Sequence, residues 1–154
     1  MKGLATIIWL QLLGSISAVI AANPKFLSAS ARINGQNLDV SWSETGLGDN
    51  PNIDYVVQAD STATYGCFNK GGKNPQASNK QDFSGIVTAS VTYSSGKNGR
   101  INGGATLTPV APSSGFSCPA GQTQKLISVT YSDVTVTDTT NGISQSISGT
   151  FSSP

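Results

Sequence analysis

The sequence predicts an all-β fold, an antiparallel β-sandwich of about seven strands with one disulfide. Three observations lead to this prediction. Apolar and polar residues alternate along most of the chain, turn residues interrupt that alternation, and no segment after residue 22 repeats its apolar residues at helical spacing. Charged residues are only 11% of the chain, against about 25% in typical globular domains. The polar positions of the strands are therefore mainly Ser, Thr and Asn.

The first 22 residues predict a secretory signal peptide. Lys2 precedes an apolar run from Leu4 to Ile20, and the small residues Ala21 and Ala22 follow at a plausible cleavage point. The run is short for a transmembrane anchor, and no basic cluster follows it. We therefore expect a secreted, extracellular protein whose residues 23–154 form a single domain, without a membrane partner after cleavage.

Alternation in the first half of residues 23–154 predicts four strands. Leu27 to Ile33 and Leu38 to Trp42 each alternate, and the turn pair Asn34-Gly35 between them indicates a hairpin. The next two alternating segments are 55–67 and 83–93.

The last third of the chain predicts three further strands, one of them interrupted. A strand over 101–107 follows a glycine-containing turn. In the next strand, Tyr131 and Val134 lie on opposite parities, which indicates a β-bulge near Ser132-Asp133. After a turn at 139–142, the final alternating segment is 143–151.

The two cysteines, Cys67 and Cys118, both lie after the predicted signal peptide. An even number of cysteines in an oxidising compartment indicates one disulfide. A loop of about 50 residues closed in this way stabilises the fold by about 4 kcal/mol.

Charge and composition exclude several functions. Lys and Arg total 9 and Asp and Glu total 8, so a net charge of +1 argues against a nucleic-acid partner. The chain has no histidine, which removes Ser–His–Asp catalysis and imidazole-bound zinc. Gly71-Gly72 lacks the spacing of a phosphate-binding loop, and no cofactor is predicted.

The longest connection, between the third and fourth predicted strands, is the candidate binding site. It is rich in amide and ammonium donors, and Gly71-Gly72 allows close approach to the backbone. Such donors suit a polysaccharide or a protein on a cell or host surface. Phe68 beside the loop could stack on a sugar ring, whereas Tyr65 lies on the inward parity of its strand. The alternative is a structural loop held by Cys67. The candidate ligand-binding residues are Asn69, Lys70, Lys73, Asn74, Asn79 and Lys80.

Acidic residues offer weaker candidates. Asp49, Asn50, Asn52 and Asp54 could supply oxygen ligands to Ca²⁺, but their spacing misses the EF-hand pattern, so no metal site is predicted. The acids cluster within 39–60, and most of the following charges, within 70–100, are basic. This order suggests a molecule with one acidic and one basic end.

Two blocks of sequence carry a resemblance to known proteins. The block from Cys67 to Lys80 has the pattern C-x-N-x-G-G-x-x-P-x-x-x-N-K, and a later block, 117–122, has the pattern S-C-P-x-G-Q. Together they resemble small secreted proteins of unassigned function from fungi and actinobacteria, and the resemblance spans most of residues 23–154. It implies secretion and the pairing of Cys67 with Cys118. It implies no activity, cofactor or catalytic residue.

The leading functional hypothesis is a non-enzymatic, effector-like binding module that acts at a cell wall or host surface. One alternative is a small carbohydrate-active hydrolase that uses Glu44, the only Glu in the chain, with Asp39 or Asp54. Such an enzyme needs two carboxylates facing each other across a cleft, about 5–10 Å apart. A second alternative is a membrane-active protein, in which amphipathic strands rich in Ser and Thr rearrange into a pore.

Overall fold

A computed structural model describes residues 23–72 and 79–154, so the predicted signal peptide lies outside the described residues. The described chain is all-β and contains no α-helix. Its strands are β1 (Lys25–Asn34), β2 (Asn37–Thr45), β3 (Asn52–Phe68), β4 (Lys80–Ser94), β5 (Ile101–Leu107), β6 (Thr123–Asp138), β7 (Ile143–Ile147) and β8 (Phe151–Ser153).

The strands form two antiparallel sheets, which confirms the predicted sandwich. One sheet has the order β1-β2-β5, and the other has the order β4-β3-β6-β7, with β8 also paired to β6. In the constant-type immunoglobulin arrangement the fourth strand belongs to the same sheet as the first, second and fifth strands. Here the fourth strand instead pairs with β3, at the edge of the larger sheet. Fold alone implies no function.

Alternation along the strands builds the core between the two sheets. Trp42 on β2 packs against Tyr55 on β3 with ring centroids 4.9 Å apart, and Tyr93 on β4 meets Tyr55 at 6.2 Å. Gly103 on β5 leaves room for the indole, because a Cβ there would lie 2.7 Å from the ring. Other fully buried apolar residues are Leu38, Ile53, Val57, Ala59, Ala63, Leu107, Val129, Tyr131, Val134 and Val136.

The two sheets also approach each other along their edges. β5 lies near β4 on one side, and β1 lies near β7 and β8 on the other. The chain that follows β5 crosses the inner face of β4, where Val110 lies 3.5 Å from the position of a Cβ on Gly85. The sandwich therefore has a closed, barrel-like outline.

The bulge predicted near Ser132-Asp133 is confirmed. The pairing between β3 and β6 shifts its register between Gln58 and Asp60. Over this step β6 contains one residue more than β3. Asp133 accommodates the extra residue of β6 by adopting a left-handed backbone conformation, with a φ of 51°. Asp tolerates this conformation better than most residues.

Two expectations need correction. The last predicted strand is divided into β7 and β8, because Gly149 adopts a φ of 120° between them. The charges do not separate into acidic and basic ends: Lys97 and Arg100 lie in and after the turn beside the loop that contains Asp49, away from Lys80. Distance along the chain is a poor guide here, because antiparallel strands return the chain to the same end of the sandwich.

Candidate binding surface at the disulfide end

The disulfide joins the end of β3 to the connection between β5 and β6. Cys67 and Cys118 are bonded, with their Cα atoms 5.5 Å apart, as the sequence predicted. Cys67 is buried. The bond therefore ties the candidate loop after β3 to the segment 108–122.

Segment 108–122 covers the inner face of the larger sheet, at the end where the strands of this sheet extend beyond the smaller sheet. The Val110 amide donates to the Ser61 hydroxyl at 3.1 Å, and the Tyr65 hydroxyl donates to the Val110 carbonyl at 3.0 Å. Phe83 packs between Tyr65 and Phe116, with ring centroids 5.9 and 5.5 Å away. Tyr65 is therefore a packing residue, as its parity indicated, and this end of the sheet is rigidly supported.

The opposite, outer face of the same strands carries two lysines and one aromatic ring. Gly66 on β3 is paired with Lys80 on β4 and with Lys125 on β6, so the two lysines flank a residue without a side chain. Phe68 has the same parity as Gly66, and Lys125 Nζ lies 5.5 Å from the centroid of its ring. We call Phe68, Lys80 and Lys125 the lysine–phenylalanine surface.

The lysines of this surface form no ion pair with any acid that the structure describes. Within residues 23–72 and 79–154, the one ion pair closer than 4 Å joins Arg32 and Asp39 on the outer face of the other sheet. The nearest acid in register is Asp82, which accepts a hydrogen bond from the Thr64 hydroxyl at 2.6 Å. Among the described residues, the surface therefore presents two ammonium groups to solvent, with the Asp82 carboxylate as the neighbouring acid on the same face of β4.

The six predicted binding residues fall into three groups. Lys70 and Lys80 are exposed; Lys80 belongs to the lysine–phenylalanine surface, and Lys70 lies in the turn after β3. Asn69 shapes the turn after β3, because its side-chain oxygen accepts the Gly71 amide at 3.2 Å and its carbonyl accepts the Gly72 amide at 3.0 Å. The remaining three are the half-buried Asn79, just before β4, and Lys73 and Asn74, which lie outside the described residues.

Sequence reasoning missed Lys125. It lies far along the chain from the candidate loop, and only the pairing of β6 with β3 brings it beside Phe68. The available signal was its position shortly after Cys118, since a disulfide to Cys67 places the start of the following strand near the same end.

The carboxylates of the hydrolase alternative do not share a cleft. Glu44 is completely buried and accepts a hydrogen bond from the Tyr55 hydroxyl at 2.7 Å. Burial raises the pKa of Glu44 to about 7, the bond from Tyr55 opposes this, and the charge of Asp138 adds to it. Asp39 and Asp54 lie on the outer faces of their strands, so neither can act with Glu44 across a substrate.

Asp138 is the acid that accompanies Glu44 in the interior. It is also completely buried, and it accepts hydrogen bonds from the backbone amide and the side-chain amide of Asn141 at 2.9 and 2.6 Å. Asn141 thereby anchors the turn that follows β6. The second oxygen of Glu44, Oε1, is buried without a hydrogen-bond partner in the part of the chain that the structure describes. The pair is enclosed by the core and carries no substrate-facing group.

The loop considered for calcium is held by hydrogen bonds within the protein. Asp49 accepts the side-chain amide of Asn50 at 2.9 Å, and Asp54 accepts the Thr92 hydroxyl at 2.6 Å. Asn50 adopts a φ of 58°, as expected for an Asx-rich turn. Over the two described ranges, no group of three or more Cys, Asp or Glu side chains is placed to hold a metal ion.

Comparisons with known proteins add no family. No protein-family model, no curated protein and no solved structure matches this chain. Among the residues that the structure describes, no helix has the length and apolarity needed to cross a membrane.

Proposed function

We propose that the chain is a secreted, non-enzymatic binding module that acts at a cell wall or host surface through the lysine–phenylalanine surface. The observation that carries this proposal is the rigid presentation of Phe68, Lys80 and Lys125 on one outer sheet face, without acidic partners among the described residues. Groups that contribute little to folding but are held in place by a scaffold are typical of binding sites.

Secretion is supported by the disulfide and by the signal-like residues 1–22. Disulfides persist in oxidising compartments and are rare in the cytosol. The enclosed position of Glu44 supports binding over hydrolysis.

The test is retention on insoluble chitin, β-glucan and cellulose, and on intact cell walls, by the chain expressed from its full sequence in a secreting host. We expect the protein to appear in the medium and to sediment with at least one of these materials. Protein that stays inside the cell, or secreted protein that none of the materials retains, would refute the proposal for the wall. Dye release from liposomes or sugar release from the same polymers would instead support the membrane-active or hydrolytic alternative.

A further inference from the structure

We propose that the ligand of the lysine–phenylalanine surface is an anionic polysaccharide, an extended chain of sugar rings that bear carboxylates. This inference rests on the proposed binding function and adds the chemical class of the ligand.

The arrangement of the lysines favours a ligand with repeated negative charges. Lys80 and Lys125 are both in register with Gly66, so their Cα atoms are two strand spacings apart, or about 10 Å. Both side chains are exposed. A small anion reaches both ammonium groups only if the two flexible side chains bend together over Gly66, whereas a polymer lying across the strands can place a separate carboxylate at each extended side chain.

The aromatic ring favours sugars among the possible polyanions. Phe68 is half-buried beside Lys125 and shares its outer face with the hydroxyl of Thr123, its register partner. A flat apolar ring next to hydroxyl and ammonium groups suits the apolar face and the polar edge of a pyranose.

Net charge argues against nucleic acid as the polyanion. The full chain has a formal charge of only +1, and removal of Lys2 with the signal peptide would leave it neutral. Nucleic-acid-binding domains are usually strongly basic, because they neutralise many phosphates at once.

The experiment measures binding of the secreted protein to soluble polygalacturonate, with neutral β-glucan as the comparison, by isothermal titration calorimetry. We expect polygalacturonate to bind more tightly, and its binding to weaken as salt rises from about 0.05 to about 0.5 M, because the Debye length shortens. Replacing both Lys80 and Lys125 with Ser should weaken it by about tenfold. Phe68→Leu keeps the apolar bulk but removes the flat ring, and should weaken it by about fivefold.

The matched control replaces Lys25 and Lys97 with Ser, which removes the same charge at the opposite end of the sandwich. Both double variants should keep the parent melting temperature, since exposed lysines contribute little to stability. An equal loss of affinity in the control pair would overturn the assignment, because net charge rather than the surface would then explain binding.

Three further outcomes separate this inference from the proposed function. Tight binding of neutral β-glucan that none of these variants affects would keep the binding function and overturn the anionic ligand. Failure to bind any polysaccharide would overturn the anionic ligand and, with it, the proposed function at a cell wall. Equal, lysine-dependent binding of single-stranded DNA or of anionic phospholipid vesicles would overturn the assignment to polysaccharide.

Discussion

Replacing Glu44 with Gln should make the protein more stable at neutral and alkaline pH. Burial and the neighbouring Asp138 raise the pKa of Glu44 from 4.5 to about 7 in the folded state. The folded protein therefore holds this proton more tightly than the unfolded chain. The resulting stability is fully present below about pH 4.5 and is lost as pH rises through about 7. The shift corresponds to about 3 kcal/mol, at about 1.4 kcal/mol for each pKa unit.

The amide that Glu44→Gln introduces would keep an oxygen that accepts the hydrogen bond from Tyr55, but it cannot ionise. We expect the variant to match the parent within about 1 kcal/mol at about pH 4.5 and to exceed it by up to about 3 kcal/mol at about pH 8. Urea unfolding at a series of pH values measures this difference. Trp42 is a suitable fluorescent probe, because it is buried and the other tryptophan, Trp9, lies in the predicted signal peptide.

The matched control is Asp60→Asn, the same chemical change at an exposed position on the outer face of β3. Like the parent, the Asp60→Asn variant should lose stability between about pH 4.5 and about pH 8, because Glu44 is unchanged. The reasoning about Glu44 fails if the parent shows no such decline, or if Glu44→Gln unfolds with the same pH dependence as the parent.

Three further predictions concern the scaffold. Replacing Cys67 and Cys118 with Ser removes the disulfide that links residues 51 positions apart. This should cost about 4 kcal/mol in urea unfolding, and a loss below about 1 kcal/mol would contradict it. Gly103→Ala places a methyl group against the indole ring and should cost about 1–3 kcal/mol with altered tryptophan emission, whereas Gly115→Ala, in open space, should change neither. Asp133→Val should cost about 1–2 kcal/mol because a β-branched residue resists positive φ, and Asp133→Gly should be tolerated in the same thermal melts.

The strands, the bulge and the disulfide could be predicted because each leaves a local mark in the sequence. Alternation defines a strand wherever one face is buried, and the change of parity between Tyr131 and Val134 marks the extra residue that Asp133 accommodates. Because only two cysteines follow residue 22, only one disulfide pairing is possible within the chain.

The site could be predicted less completely, because it depends on which strands become neighbours. The disulfide of Cys118 indicates only that Lys125 lies near the end of β3, and no local pattern shows that β6 pairs with β3 and places this lysine over Phe68. Glu44 is a different case. As the only Glu in the chain it stands out as a catalytic candidate, yet it shares the parity of Leu38 and Trp42, which face the interior. Alternation therefore carries the correct signal for its burial, and the rarity of the residue type is misleading.

The closed outline of the sandwich has a consequence for self-association. Open sheet edges are where β proteins add strands from other molecules and begin to aggregate. Here β5 lies near β4, while β7 and β8 lie near β1. A strand from a second copy would meet the neighbouring sheet beside the edge strands β4 and β1, so we expect these edges to resist edge-to-edge pairing.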